Sequence, residues 1–171
     1  MSKYKRIYLP DRSYFFTVVT ANRKTIFAED KNVQFLKAAF RYVQSRKPFK
    51  MDAICVLPDH LHCIWTMQGD YNYSIRWQMI KTHFSRRYRH QNPESKHIKI
   101  WQPRYWEHMI RDQDDFHRHI DYIHNNPVKH DWVKSARDWP YSSFTKYLTK
   151  GGYDAGWGDC EPVSINGMQC E

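Results

Sequence analysis

The chain has 171 residues, 41% hydrophobic and 26% charged, which describes one globular domain able to bury a core without disulfides. Lys and Arg number 27 against 18 Asp and Glu, and the resulting net charge of +9 favours a polyanionic partner. No run approaches the roughly 18 apolar residues of a membrane span, and no apolar signal region follows the basic Met1-Ser2-Lys3-Tyr4-Lys5-Arg6. Cys55, Cys63, Cys160 and Cys170 form no CxxC pair, so the expectation is a cytoplasmic protein with free thiols.

Tyr14 to Thr20 is aromatic and β-branched and reads as a strand. A helical pattern starts at Asp30, with Val33, Leu36, Ala39, Phe40 and Val43 at helical spacing, and Pro48 bounds it. Met51 to Leu57 is a nearly continuous apolar run, as in a strand covered on both faces. Pro58-Asp59 breaks it, and His60 to Met67 is the next strand. Tyr73 to His90 is a second helix, apolar at Ile75, Met79, Ile80 and Phe84. Trp106 to Arg111 reads as a strand, and the acidic Asp112 to Asp115 opens a third helix that Pro127 ends near Asn125 or Asn126. The glycine-bearing tail from Gly151 has little periodicity and is expected to be loosely held. Strand, helix, strand, strand, helix, strand, helix is an α+β order. It fits a ferredoxin-like or RRM-like antiparallel sheet with helices mainly on one face, over residues 1–150, followed by an irregular tail over 151–171.

His60-Leu61-His62 is the most informative stretch. Side chains alternate along a strand, so both imidazoles stand on one face while Leu61 points to the other. Two neutral imidazoles on one face are the beginning of a divalent metal site. Cys63 faces away from them, which argues against a Cys/His zinc site. On the third helix, Phe116, Ile120 and Ile123 form an apolar stripe, and Asp115, His119, Tyr122 and Asn126 form a second. Tyr122 and Asn126 are i and i+4 and share a face, so the helix could aim a phenol and an amide oxygen at the point the histidines face. A phenol of pKa about 10 is a weak nucleophile at neutral pH. An ion held by two imidazoles and an amide can polarise a phosphodiester and stabilise its leaving oxygen, and attack by the phenol gives a covalent phosphotyrosine.

These residues resemble the HUH single-strand endonucleases and transposases with one catalytic tyrosine, and within them the REP-associated tyrosine transposases. Five blocks carry the resemblance in order: Tyr14-Phe15-Phe16-Thr17, Leu57 to Trp65, Trp101 to His108, Asp121 to His130, and Asp138 to Phe144. The resemblance implies a ferredoxin-like sheet, His60, His62 and Asn126 as metal ligands, and Tyr122 as nucleophile. It implies Mg²⁺ or Mn²⁺ as cofactor, single-stranded DNA hairpins of repetitive extragenic palindromes as substrate, and cleavage to a 5′-phosphotyrosine and a free 3′-OH. The chain departs from the pattern at Asp131, where glycine is expected, and most in the tail.

Candidate DNA contacts are the basic arm Lys3, Lys5 and Arg6, the helix face Arg76, Lys81, Arg86 and Arg87, the platform Arg104 and Tyr105, and Lys129. Of the Tyr105 and Trp106 rings, one is expected to be buried. His119 is a candidate accessory residue, and His124 reads as surface. A monomer acting in cis is favoured over a dimer, and no Gly-rich loop calls for a nucleotide cofactor. Two other readings remain open: a non-catalytic RRM-like nucleic-acid binding domain, and an HUH replication initiator or relaxase.

Overall fold

The computed structural model describes residues 6 and 8–170. Four strands, β1 (Ser13–Val19), β2 (Phe49–Val56), β3 (His60–Met67) and β4 (Trp106–Met109), form one sheet in the order β2-β3-β1-β4. Every neighbouring pair is antiparallel, with Thr17 opposite His62 and Trp106 opposite Thr17. Helices α1 (Asp30–Gln44) and α2 (Tyr73–Gln91) complete a βαββαβ frame, and α3 (Gln113–Lys129) and the short α4 (Phe144–Thr149) follow.

Alternation sorts the strands into two cores. Tyr14, Phe16, Val18, Leu61, Cys63 and Trp65 face α1 and α2, where Trp65 stacks on Trp77 with centroids 4.4 Å apart. Phe15, Ala53, Cys55 and Ile64 face the other way and pack against Ile120, Tyr122 and Ile123 of α3. A register shift between Met51 and Ala53 changes which residues of β2 face α1 and α2, from Phe49 and Met51 before it to Ile54 and Val56 after it. The third helix thus covers the face that α1 and α2 leave open, and β3, carrying the paired histidines, is enclosed on both sides.

Three expectations are corrected. Pro127 does not end α3, which continues to Lys129. Proline removes one amide donor near a terminus where few remain, and the chain closes the turn with His130 N to Asn126 O, Asp131 N to Val128 O and Trp132 N to Pro127 O. Asp131 adopts φ 57°, the left-handed conformation that glycine takes after a helix, so the turn survives the missing glycine. The tail is not loose. Ile165 and Cys170 are buried in the α3-side core, and Tyr153 stacks on Trp157 at 4.0 Å.

Candidate active site

His60 and His62 lie on the α3 face of the central strand β3, with ring centroids 4.8 Å apart. Each ring is fixed by its Nδ1. His60 Nδ1 lies 2.6 Å from Asp59 Oδ1, and an ionised carboxylate only accepts, so Nδ1 carries the proton. Burial pushes the Asp59 carboxyl up, but hydrogen bonds and charge from His60 and Arg23 outweigh it and hold the group below the usual carboxylate range. His62 Nδ1 lies 2.9 Å from Thr17 Oγ1. The Thr17 hydroxyl donates its proton to the Cys170 carbonyl at 2.5 Å, so toward His62 it accepts, and Nδ1 is again the protonated nitrogen. Both histidines therefore keep their lone pair on Nε2, the tautomer a metal ligand requires.

On α3, Tyr122, Asn126 and His130 follow at intervals of four and form one stripe. The Tyr122 ring meets His62 edge-on at 5.3 Å, and the His130 ring meets His60 at 5.4 Å. Asn126 lies one turn from each on the same helix stripe. It is fully buried, and neither amide atom has a hydrogen-bond partner; the same holds for His60 Nε2. Buried polar atoms of this kind are costly unless something satisfies them. A donor set of imidazole nitrogens and an amide oxygen suits a divalent ion, so these residues fit the expected metal. Lys129, two turns beyond Tyr122, donates from Nζ to Tyr122 Oη at 3.3 Å.

The sequence placed Tyr122 off the apolar stripe. The structure buries it at 1% exposure, because α3 is enclosed by the sheet on one side and by the tail and the 136–144 segment on the other. His124, read as surface, is also fully buried, bonded to Ser143 Oγ and Tyr153 Oη at 2.8 Å each. Burial pulls its pKa down to about 3, so it is neutral. The Ser143, Tyr153 and Asp121 partners make this network the clamp that fixes α3 to the tail. Its signal in the sequence was that His124 adjoins Ile123 and follows Ile120 by four.

His119 stands beside the site, stacked on His108 at 4.7 Å and tilted against Phe15 at 4.8 Å. With Asp115, these two histidines form the one cluster of three His, Cys, Asp or Glu ligand groups found among the described residues. Its carboxylate is already engaged. Asp115 Oδ2 accepts from His108 Nε2 at 2.8 Å, Arg111 N at 3.0 Å and Arg111 Nε at 3.2 Å. Burial raises the Asp115 carboxyl and these donors more than offset it, leaving it well below the usual range. These bonds would have to be displaced before an ion could bind there, whereas His60 Nε2 and the Asn126 amide have no hydrogen-bond partner, so His60, His62 and Asn126 are the better donor set.

Of the expected DNA contacts, Lys3 and Lys5 lie outside the described residues. Arg76 is corrected. It is fully buried, bonding the carbonyls of Lys47, Pro48, Gln68 and Asn72 and the Asp70 carboxylate, so its guanidinium has no face for phosphate. Arg6 is paired with Glu107 at 3.1 Å and lies over the Tyr105 ring. Lys81 donates to Gln102 O at 2.9 Å, and burial lowers its ammonium to about 8. Arg86 and Arg87 are exposed, but on α2, across the sheet from Tyr122. Arg104 is exposed, Tyr105 is half-buried against the α1/α2 core, and Trp106 is 40% exposed.

This is an arrangement of a buried tyrosine beside paired histidines on a ferredoxin-like sheet. The family described as "Transposase IS200 like" matches residues 9–126. An Escherichia coli REP-associated tyrosine transposase is 42% identical over 92% of this chain and 91% of its own length. A Haemophilus influenzae protein named for the same class is 37% identical over 98% of this chain and 99% of its own. The solved structure of a REP-associated tyrosine transposase bound to a REP hairpin is similar at a TM-score of 0.81, with 40% identity and 96% of both chains covered. The chain belongs to the IS200-like transposase family, among its REP-associated tyrosine transposases. Among the described residues no helix is long and apolar enough to cross a membrane.

Proposed function

We propose that this protein nicks and rejoins single-stranded DNA at repetitive extragenic palindrome hairpins, with Tyr122 as nucleophile. The observation that carries the reading is the meeting, within one chain, of the Tyr122 ring with His62 at 5.3 Å on a face where both histidines present Nε2. His60 and His62 through Nε2 and Asn126 through Oδ1 would hold Mg²⁺ or Mn²⁺. Bound there, such an ion supplies charge stabilisation to the phosphate and to its leaving oxygen.

The chain's own residues do the rest. Lys129 donates to Tyr122 Oη and favours the phenolate. Tyr122 Oη gives up its proton to solvent and forms a bond to phosphorus, the P–O3′ bond breaks, and the departing 3′-oxygen takes a proton from solvent. The phosphotyrosine keeps the phosphodiester's energy, so a 3′-OH can later attack it and rejoin the strand. Burial of Tyr122 keeps water from that linkage. A site complete in one chain supports a monomer acting in cis, working on chromosomal DNA in the cytoplasm.

The test is a labelled hairpin with single-stranded flanks, incubated with Mn²⁺ and run on a denaturing gel. A covalent adduct is expected, and Tyr122→Phe abolishes it while binding persists. Binding with no adduct in the wild type would establish the RRM-like alternative instead. An adduct formed only with origin or transfer-site DNA would point to an initiator or relaxase.

A further inference from the structure

Trp106 is a large, exposed aromatic on the catalytic face, and nothing in the chemistry above uses it. On edge strand β4 it stands opposite Thr17, the residue that holds His62. Its indole meets Phe15 edge-on at 5.6 Å and lies nearly parallel to His108, 12° between planes and 5.9 Å between centroids. His108 in turn lies nearly parallel to His119, at 14° and 4.7 Å. His108 is held by Asp115, and His119 by the Asp115 carbonyl. The result is a ladder of three flat rings, buried at His119, clamped by a carboxylate, and ending in a tryptophan that is 40% exposed. Beside the indole is an open cleft of about 260 Å³, lined by Thr17, Val19, Gln102, Arg104, Tyr105 and Trp106.

A tryptophan held rigid from behind, next to an exposed arginine, is what an unpaired base requires: a ring to stack on and a cation for its phosphate. Gln102 and Arg104 add hydrogen-bonding groups for a base edge. We propose that this cleft binds one unpaired nucleobase of the strand flanking the hairpin, stacked on Trp106, and so sets which phosphate reaches Tyr122. The proposal rests on the reading of the protein as a single-strand transposase and names a subsite within it.

The test measures binding by fluorescence anisotropy to three DNAs: a blunt hairpin, the hairpin with a 5′ single strand, and the hairpin with a 3′ single strand. Trp106→Ala and Trp106→Leu are expected to weaken one flanked hairpin about tenfold and leave the blunt hairpin unchanged. Trp106→Phe keeps most of the affinity. Placing abasic sites along that flank should reveal one position at which wild type and Trp106→Leu bind alike. Equal binding of the flanked DNAs by wild type and both variants overturns the subsite, as does an equal loss on all three DNAs, which would mark Trp106 as structural. The wild-type adduct with Mn²⁺ is read in parallel. Its absence overturns the parent reading, whereas its presence alongside an indifferent Trp106 overturns the subsite alone.

Discussion

Thr17→Val removes one hydroxyl and keeps the shape of the side chain. Thr17 is 2% exposed and His62 0%, so water cannot replace the lost oxygen. The His62 Nδ1 proton, now 2.9 Å from a hydroxyl, would face a methyl group. A buried donor left unmade costs about 1–3 kcal/mol. The ring can escape that cost by moving its proton to Nε2 or by turning, and either removes the lone pair from the metal-facing position. Loss of such a supporting partner weakens metal binding about 10- to 100-fold. The assay is covalent adduct formation across a Mn²⁺ titration. The half-maximal Mn²⁺ concentration should rise 10- to 100-fold in Thr17→Val, and saturating Mn²⁺ should recover much of the adduct. Thr17→Ser restores the hydroxyl and should return the midpoint to the wild-type value. An unchanged midpoint in Thr17→Val would show that the tautomer argument, and with it the assignment of His62 Nε2 as ligand atom, is wrong.

Arg76→Met should destabilise the fold by about 3–5 kcal/mol in urea unfolding, because it strands four carbonyls around a fully buried site. DNA affinity of the folded protein should not change; a selective loss of affinity would restore Arg76 as a DNA contact. Asp131→Gly relieves the left-handed backbone at φ 57° and should stabilise by about 0.5–1 kcal/mol, read as a rise in Tm of a few degrees. Lys81, lowered to about 8 by burial, loses its proton in the folded state while the unfolded chain keeps one up to about 10.5. The unfolded state binds more protons between those values, so this group makes stability rise with pH there. Relative to Lys81→Met, the wild type should gain about 1–2 kcal/mol from pH 7 to pH 10 after allowance for partial exposure, measured by urea unfolding at each pH.

The frame and the grouping of His60, His62 and Tyr122 were legible because short-range rules govern them. Alternation alone put His60 and His62 on one face and Cys63 on the other, and the i, i+4 rule put Tyr122 with Asn126. Long-range packing was not legible. A helix with one apolar stripe is expected to turn its other stripe to solvent, yet α3 is covered from two directions, so Tyr122, His119 and His124 are all buried. The second cover is the tail, whose glycines suggested looseness while Tyr153, Trp157 and Ile165 anchored it. Arg76 was misjudged by its charge. It lies among Tyr73, Trp77 and Ile80 on the inward side of α2, which was a signal of burial, and backbone carbonyls from neighbouring loops make that burial tolerable. The Asp59 and Thr17 partners of the histidines adjoin or pair with β3, and which of them fixes which ring depends on strand register, which emerges only with the sheet assembled.

The central claim is that one particular phenol becomes bonded to DNA. After reaction with a flanked hairpin and Mn²⁺, nuclease trimming and proteolysis, peptide mass spectrometry locates the residual nucleotide among the chain's 12 tyrosines. The account predicts a single modified peptide, with the phosphodiester on Tyr122. A nucleotide on any other residue, with Tyr122 unmodified, would contradict it.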